Sequence, residues 1–195
     1  MIIIALIVAY LLGSISCAVL VCKFAGLNDP RTEGSGNPGA SNILRMHGKT
    51  YGIIALVGDL LKGFVAVLVG LTLGVHGFML GIVAFVAVIG HMYPVFFKFK
   101  GGKGVATALG CFLALSLVTF VIVGIVWLAI VATIRYASVA SLAACVLAPF
   151  VSLFATHNPD YSVGLALIAL AVIWRHRENI ERLRKGTETK FIIKK

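Results

Sequence analysis

Long apolar stretches dominate this chain of 195 residues and exclude a water-soluble fold. Hydrophobic residues make up 60% of the sequence, and the stretches do not alternate apolar and polar faces as helices around a soluble core do. About 20 apolar residues cross a bilayer as one helix, and lipid tolerates only segments whose backbone is hydrogen-bonded internally. The sequence therefore predicts an all-α integral membrane protein with a single domain over residues 1–195. The apolar stretches are 1–22, 51–73, 78–97, 105–134 and 138–174.

The basic residues predict how these stretches cross the membrane. Basic loops stay on the cytoplasmic side, and all 17 Lys and Arg residues can be placed on one face if the chain crosses seven times. The N-terminus then lies outside and the C-terminus in the cytoplasm. No basic segment precedes the first span and no small-residue cleavage site follows it, so we expect no cleaved signal peptide. The predicted outer turns are Gly74–Gly77, Ser116–Thr119 and His157–Asp160.

The 105–134 stretch leaves an alternative. One long helix there would give six spans and would place Arg135 and the C-terminal basic cluster outside, against the charge rule. Two helices of about 14 residues each are short for a full crossing, but they keep both groups inside if the helices tilt or the bilayer thins locally. We favour seven transmembrane helices, two of them short.

The net charge of +10, expected at the inner surface, fits two interpretations. It can attract anionic lipid headgroups while setting the topology, or it can bind an anionic substrate. We find no convincing internal repeat of the kind common in transporters. No C-x-x-C spacing and no His/Cys cluster is present, so we predict reduced cysteines, no metal ion and no cofactor. The cysteines are Cys17, Cys22, Cys111 and Cys145.

Three polar segments fall on the predicted inner face, and the first runs from Gly34 to Asn42, followed by Arg45. It contains G-x-G-x-x-G, but a membrane span precedes it where a dinucleotide fold needs a strand. Its glycines still let the backbone approach a ligand, successive N–H groups can bind an anion, and Arg45 can grip a phosphate. An ordinary Gly/Asn turn is the alternative.

The second segment runs from His91 to Thr107 and contains Gly-Gly-Lys-Gly at residues 101–104. It is not a Walker A loop, because Gly104 stands where that motif has Ser or Thr. It opens a helix, however, and free N–H groups at a helix N-terminus attract anions. We read Lys98 and Lys100 as topology markers and Lys103 as an anion-binding residue.

The third segment, residues 175–188, continues the last span into the cytoplasm. His176, Asn179 and Arg182 are spaced three apart and share one helix face. A charged, snorkelling helix end would explain Arg177 and its basic neighbours, but it explains His176 and Asn179 poorly.

Two polar pairs lie within or beside spans. Asp59 and Lys62 are three residues apart in a helix, and charges inside a membrane are usually paired or functional. We expect a mutual ion pair facing the bundle, with Lys62 reaching a polar cavity as the alternative. Ser138 and Ser141 begin a helix, where serines usually act as caps, or they face the inner site.

Together the three segments resemble the motifs of the bacterial acyl-phosphate:glycerol-3-phosphate acyltransferases, the PlsY family. The first motif extends from Gly13-Ser14 through Asp29-Pro30-Arg31 to Arg45, the second covers residues 91–107, and the third covers residues 175–188. The order of the three segments, their spacing and their predicted side of the membrane all agree with those of the family's motifs. Two departures are small, since Ser16 stands where the family often has Pro and Ser41 where it has Thr.

The resemblance implies seven membrane helices and the transfer of an acyl group from acyl-phosphate to the sn-1 hydroxyl of glycerol 3-phosphate. The products would be lysophosphatidic acid and inorganic phosphate, at the cytoplasmic side of the bacterial inner membrane. Acyl-CoA and acyl-carrier protein are not expected as donors. Membrane lipid is the expected surrounding, and neither nucleic acid nor an obligate protein partner is expected.

We assign site residues on this basis. Catalytic roles are predicted for His176, Asn179, Lys103 and Ser35. Substrate binding is predicted for Gly34, Gly36, Asn37, Gly39, Ser41, Asn42, Arg45, Gly101, Gly102, Gly104, Thr107 and Ser141. The general base is either His176, whose ordinary pKa is near neutral, or a phosphate oxygen of the substrate.

Two other classes of function compete with this assignment. An anion transporter or channel would need polar residues along a path to the outer face, and the outer halves of the spans carry almost none. A lipid-binding scaffold would not need three separate polar motifs on one face.

Overall fold

A computed structural model of the chain describes residues 1–156 and 159–191. Within these ranges the secondary structure is helical, with ten α-helices and a short 3₁₀ turn at Val95–Phe97. The helices are α1 (Ile2–Gly13), α2 (Cys17–Phe24), α3 (Ala40–His47), α4 (Lys49–Thr72), α5 (Gly77–Met92), α6 (Val105–Leu115), α7 (Leu117–Ile134), α8 (Ala137–Thr156), α9 (Pro159–Arg175) and α10 (Arg177–Arg184).

Within the described residues, each apolar stretch predicted from hydropathy is mainly helical, which confirms the all-α membrane fold. Helices α4, α5, α7 and α8 are long and apolar enough to cross a membrane, α5 when counted with the 3₁₀ turn. The first stretch is a broken helix, with α1 and α2 bent by 42°, and would be a fifth crossing. The two remaining predicted crossings, α6 and α9, have 11 and 17 residues. Seven crossings and the predicted orientation remain a prediction.

The 105–134 stretch is divided at Ser116, where the charge argument placed a turn. The hydroxyl oxygen of Ser116 accepts a hydrogen bond of 3.2 Å from the backbone N–H of Thr119 and so caps α7. The division is uneven, however, with 11 residues in α6 and 18 in α7. Only α6 of this pair is short, which corrects the prediction of two equal halves. Of the predicted turn at 157–160, His157 and Asn158 lie outside the described residues.

Glycines let helices pack with their backbones in contact. Gly63 on α4 faces the carbonyl oxygen of Thr107 on α6, and Gly110 on α6 faces the carbonyl oxygen of Leu60 on α4. A methyl group at either glycine would overlap the opposing backbone. Small residues at helix contacts are the usual route to close packing in lipid. The reciprocal contact fixes α4 against α6, and both helices reach the polar end of the bundle.

Candidate active site

The three polar segments come together around one cavity of about 670 Å³. The cavity lies at the end of the bundle where α3, α6 and α8 begin and α9 ends. Most of the predicted site residues line it: Gly34, Ser35, Asn37, Gly39, Ser41, Asn42, Arg45, Lys103, Gly104, Ser141, His176 and Asn179. Segments distant along the sequence therefore share one site, as the motif argument required.

Asn42 holds the glycine-rich first segment in place. Its side chain is almost fully buried and its Oδ1 accepts a hydrogen bond of 3.0 Å from the backbone N–H of Ser35. Its Nδ2 donates to the carbonyl oxygens of Pro30 at 2.9 Å and Glu33 at 3.1 Å. Gly34 has a φ of +59°, a conformation that glycine adopts without strain. Asn42 thus fixes the loop from within, while Ser35 stays exposed at the cavity.

Three helix N-termini meet at the cavity. The first turns of α3, α6 and α8 contribute Ala40, Val105 and Ala137 to its lining. The first N–H groups of a helix have no partner within the helix, and the helix dipole makes that end electropositive. Gly104 precedes α6 with a φ of +85°. The converging N-termini add a positive field to the side chains of Arg45 and Lys103, which suits an anionic ligand.

Lys103 connects the second segment to the third. Its Nζ donates a hydrogen bond to Oδ1 of Asn179, whose own Nδ2 donates to Oε1 of Glu188 at 2.6 Å. Arg175 secures the loop before Lys103, because its guanidinium donates to the carbonyl oxygens of Gly101 at 3.0 Å and Gly102 at 3.2 Å.

Burial lowers the pKa of Lys103 to about 8, and the positive charge of Arg182 acts in the same direction. The negative charge of Glu188 opposes this shift. Lys103 is therefore still mainly a cation at neutral pH, but its ammonium group is far closer to titration than an exposed lysine.

His176 is a neutral side chain with a defined tautomer. Its Nδ1 lies 2.8 Å from the carbonyl oxygen of Val172, and since a carbonyl only accepts, Nδ1 must be the protonated nitrogen. Burial lowers the pKa of His176 to about 4, and the nearby Lys103 contributes to the shift. The near-neutral pKa expected for His176 is therefore wrong. Its Nε2 remains an uncharged hydrogen-bond acceptor.

Glu188 is a site residue that the sequence argument placed in the third motif without giving it a role. Its carboxylate accepts hydrogen bonds from Ser138 Oγ at 2.7 Å, Asn179 Nδ2 at 2.6 Å and Arg182 Nε at 2.8 Å. Burial alone would raise the pKa of this carboxyl, but the three donors outweigh it and hold the pKa below its usual value. The segment after α10 thereby returns to the cavity and completes one wall.

Ser138 and Ser141 both line the cavity, in agreement with the second of their two interpretations. Ser138 donates to Glu188, and Ser141 accepts a hydrogen bond of 3.1 Å from Nε1 of Trp127. Trp127 stands within an apolar stretch, where no motif marks it as a site residue. Its indole borders the polar part of the cavity.

The predicted ion pair between Asp59 and Lys62 is present, and Lys62 has two further partners that were not predicted. Lys62 Nζ lies 2.8 Å from Asp59 Oδ1, 2.9 Å from Nδ1 of His91 and 2.5 Å from the carbonyl oxygen of Ile15. All three charged or titratable side chains are buried, while Asp59 and His91 reach the cavity wall. Among the described residues no group of three or more His, Cys, Asp or Glu could hold a metal ion.

Four predicted binding residues do not line the main cavity. Thr107 is fully buried against Gly63 on α4, because its position in the first turn of α6 faces the neighbouring helix. Gly102 packs against the ring of His91, where a side chain would overlap Nε2. Neither residue lines a pocket, and their assignment to substrate binding stays a prediction. Gly36 and Gly101 line a separate pocket.

This second pocket has a volume of about 330 Å³ and is strongly basic. It adjoins the main cavity, because Ser35, Asn37, Lys103 and Arg182 line both. One carboxylate, Glu178, accompanies its cations. The cations are Arg31, Lys100, Lys103, Arg175, Arg177 and Arg182. Two neighbouring pockets therefore share the Lys103 ammonium.

The main cavity continues from the polar groups into an apolar region. Leu56 on α4 and Leu128 on α7 line it while being 41% and 63% exposed on the outside of the bundle. The cavity thus reaches the lipid-facing surface between these two helices. The other apolar lining residues here are Leu60, Leu109, Phe120, Gly124 and Trp127.

Comparison with known proteins confirms the resemblance drawn from the motifs. The family model described as glycerol-3-phosphate acyltransferase matches residues 3–186. A glycerol-3-phosphate acyltransferase of Coxiella burnetii (strain Dugway 5J108-111) is 50% identical over 188 residues, covering 96% of this chain and 97% of that protein. One of Legionella pneumophila (strain Corby) is 47% identical over 189 residues, covering 97% of this chain and 68% of that protein.

Solved structures give the same result. The chain resembles the crystal structure of PlsY (YgiH), an integral membrane glycerol 3-phosphate acyltransferase, in its glycerol 3-phosphate form, with a TM-score of 0.91 and 42% identity. The lysophosphatidic acid form matches with a TM-score of 0.90 and 41% identity. Each match covers 98% of this chain and 96% of the solved one.

Proposed function

Because the chain belongs to the glycerol-3-phosphate acyltransferase family, we propose that it acylates the sn-1 hydroxyl of glycerol 3-phosphate with acyl-phosphate as donor. The products are lysophosphatidic acid and inorganic phosphate. The observation that carries the proposal is a polar site with two adjacent anion-binding regions, joined to an apolar cavity that reaches lipid. We place the reaction at the cytoplasmic face of a bacterial inner membrane, because the basic loops gather at that end of the bundle.

The shape of the site supports an acyl-phosphate donor. Both substrates carry a phosphate, and the donor also carries an alkyl chain. The glycine-rich loop at 34–42 and the N-terminus of α3 suit the phosphoryl group of the donor, while the lipid-facing region suits its chain. Arg45 and Lys103 then neutralise the phosphate of glycerol 3-phosphate or the departing phosphate.

In the proposed reaction the sn-1 hydroxyl oxygen attacks the carbonyl carbon of the acyl-phosphate. The new ester bond forms, the bond from the carbonyl carbon to the phosphate oxygen breaks, and phosphate leaves with the bonding electrons. An acyl-phosphate is a mixed anhydride with a good leaving group, so positioning and charge neutralisation provide most of the catalysis. Asn179, held between Lys103 and Glu188, is a rigid donor for this purpose.

The attacking hydroxyl must lose its proton to a base. His176, with a pKa of about 4, is poorly matched to this task near neutral pH. A phosphate monoester, with a second pKa of about 6, is better matched. We therefore assign the proton of the sn-1 hydroxyl to a phosphate oxygen of the substrates. We give His176 the role of positioning glycerol 3-phosphate, by accepting a hydrogen bond from its other hydroxyl, at sn-2, through the unprotonated Nε2.

The decisive experiment uses purified protein in detergent with acyl-phosphate, in the presence and absence of glycerol 3-phosphate. We expect release of inorganic phosphate that depends on the acceptor, together with formation of 1-acyl-glycerol 3-phosphate identified by NMR. Acyl-CoA and acyl-carrier protein, offered in parallel, should give no product. Product from a thioester donor, or none from acyl-phosphate, would contradict the proposal.

Variants connect the reaction to the cavity. Arg45→Ala and Asn179→Ala should abolish transfer while the protein still inserts and purifies as a folded species. Arg184→Ala is the matched control, since Arg184 is exposed at the end of α10 and lines neither pocket. A phosphate-ester transporter would instead show flux into empty liposomes with no chemistry, and that outcome would favour the rival class.

A further inference from the structure

Gly124 differs from the other glycines within helices. In the part of the chain that the structure describes, every other glycine inside a helix has a neighbouring residue within 4 Å of where a methyl group would stand, as Gly63 has on α4. At Gly124 nothing lies within that distance. Glycine destabilises a helix interior by about 0.5–1 kcal/mol relative to alanine. Neither helix packing nor a turn explains this glycine.

The open space beside Gly124 belongs to the cavity. Phe120, Gly124, Trp127 and Leu128 all line it, and their spacing of four, seven and eight residues places them on one face of α7. Trp127 marks the polar end of this face, because its Nε1 donates to Ser141. Gly124 lies about 4.5 Å from Trp127 along the helix axis, and Phe120 lies about 6 Å further.

We propose that Gly124 determines the length of the acyl chain that the site accepts, by leaving open the stretch of cavity between Trp127 and Phe120. A chain attached at the polar end passes Trp127 first and must pass Gly124 before it reaches Phe120. A side chain at position 124 would block the cavity there, so that only the first part of the acyl chain could be accommodated. This inference rests on the proposed function, because the occupant is the acyl chain of the donor.

The test measures lysophosphatidic acid formed from dodecanoyl phosphate and from hexadecanoyl phosphate by the same preparation. In Gly124→Leu the ratio of the hexadecanoyl to the dodecanoyl rate should fall about tenfold or more, because an apolar pocket discriminates by about that factor against a chain too long by even one methylene. Gly124→Ala should lower the ratio less. Ile125→Phe is the matched control, since Ile125 lies on the same turn, is 60% exposed and does not line the cavity.

Each outcome distinguishes the inference from its premise. An unchanged ratio in Gly124→Leu, or an equal fall in Ile125→Phe, would overturn the role of Gly124 while leaving the reaction intact. If Gly124→Leu forms no product from either donor, an unchanged ratio in Gly124→Ala would overturn the role as well. A wild-type protein inactive with both donors would overturn the proposed function and this inference together.

Discussion

Loss of the Lys103 ammonium should be one of the most damaging single changes at the site. The group is half-buried, faces both pockets, and is held in place by Asn179. A preorganised donor aimed at developing charge contributes about 2.7–4 kcal/mol. Each 1.36 kcal/mol is a factor of about ten in rate, so Lys103→Ala should lower kcat/KM by about 10²- to 10³-fold.

The same residue should determine the alkaline limb of the rate profile. With a pKa of about 8, Lys103 is about nine-tenths protonated at pH 7 and about one-tenth at pH 9. The cation is the active form, so the rate is lost as the pH rises through this value, and it should fall about tenfold between these two pH values. Lysophosphatidic acid is the product to measure, because acyl-phosphates also hydrolyse to phosphate.

Lys103→Arg provides the control, since a guanidinium stays charged across this range. Its absolute rate should be lower, because arginine does not reproduce the lysine geometry, but its rate should no longer fall between pH 7 and pH 9. A flat wild-type profile, or the same alkaline limb in Lys103→Arg, would refute the assignment of the titration to Lys103. A near-wild-type rate in Lys103→Ala would refute the role of the residue itself.

Three further predictions concern the surroundings of the site. Glu188→Gln should move the alkaline limb to lower pH, because the lost negative charge supports the Lys103 ammonium; an unmoved limb would contradict that coupling. Asp59→Asn leaves Lys62 buried without its counter-charge and should destabilise the protein by about 3–5 kcal/mol. Thermal unfolding in detergent should show that the double variant Asp59→Asn/Lys62→Met regains part of the lost stability. A double variant as unstable as Asp59→Asn alone would contradict the pairing of the two charges. Gly63→Ala pushes a methyl group into the backbone of α6 and should cost about 1–3 kcal/mol by the same measurement, whereas an unchanged midpoint would show that the contact relaxes freely.

Hydropathy and charge predicted the helices better than their internal breaks. The length of the apolar stretches was enough to predict a membrane protein. The requirement that Arg135 lie on the cytoplasmic side predicted the break that the structure has at Ser116. The bend between α1 and α2 was not predicted, because Ser16 stands there rather than a helix-breaking proline. The carbonyl oxygen of Ile15, left without its helical partner by the bend, accepts a hydrogen bond from Lys62. That contact joins residues 47 apart in sequence, so no local pattern could reveal it.

Sequence motifs predicted the site residues whose position follows from local helix spacing. They did not predict those whose position depends on tertiary packing. Spacing put His176 and Asn179 on one face, and both line the cavity. Thr107 belongs to the same helix start as Gly104, yet it is buried against Gly63 on α4. Glu188 follows α10, and only the return of the chain brings its carboxylate to Ser138. The pKa of His176 depends on burial, which motif and spacing do not report.

The position of Glu188 in the chain has a consequence for biogenesis. Synthesis proceeds from the N-terminus, so every helix in the described part of the chain is made before the carboxylate that braces Asn179 and Arg182. A nascent polypeptide already inserted in the bilayer would hold an unfinished pocket. The wall that Glu188 completes is therefore the last part of the pocket to be synthesised.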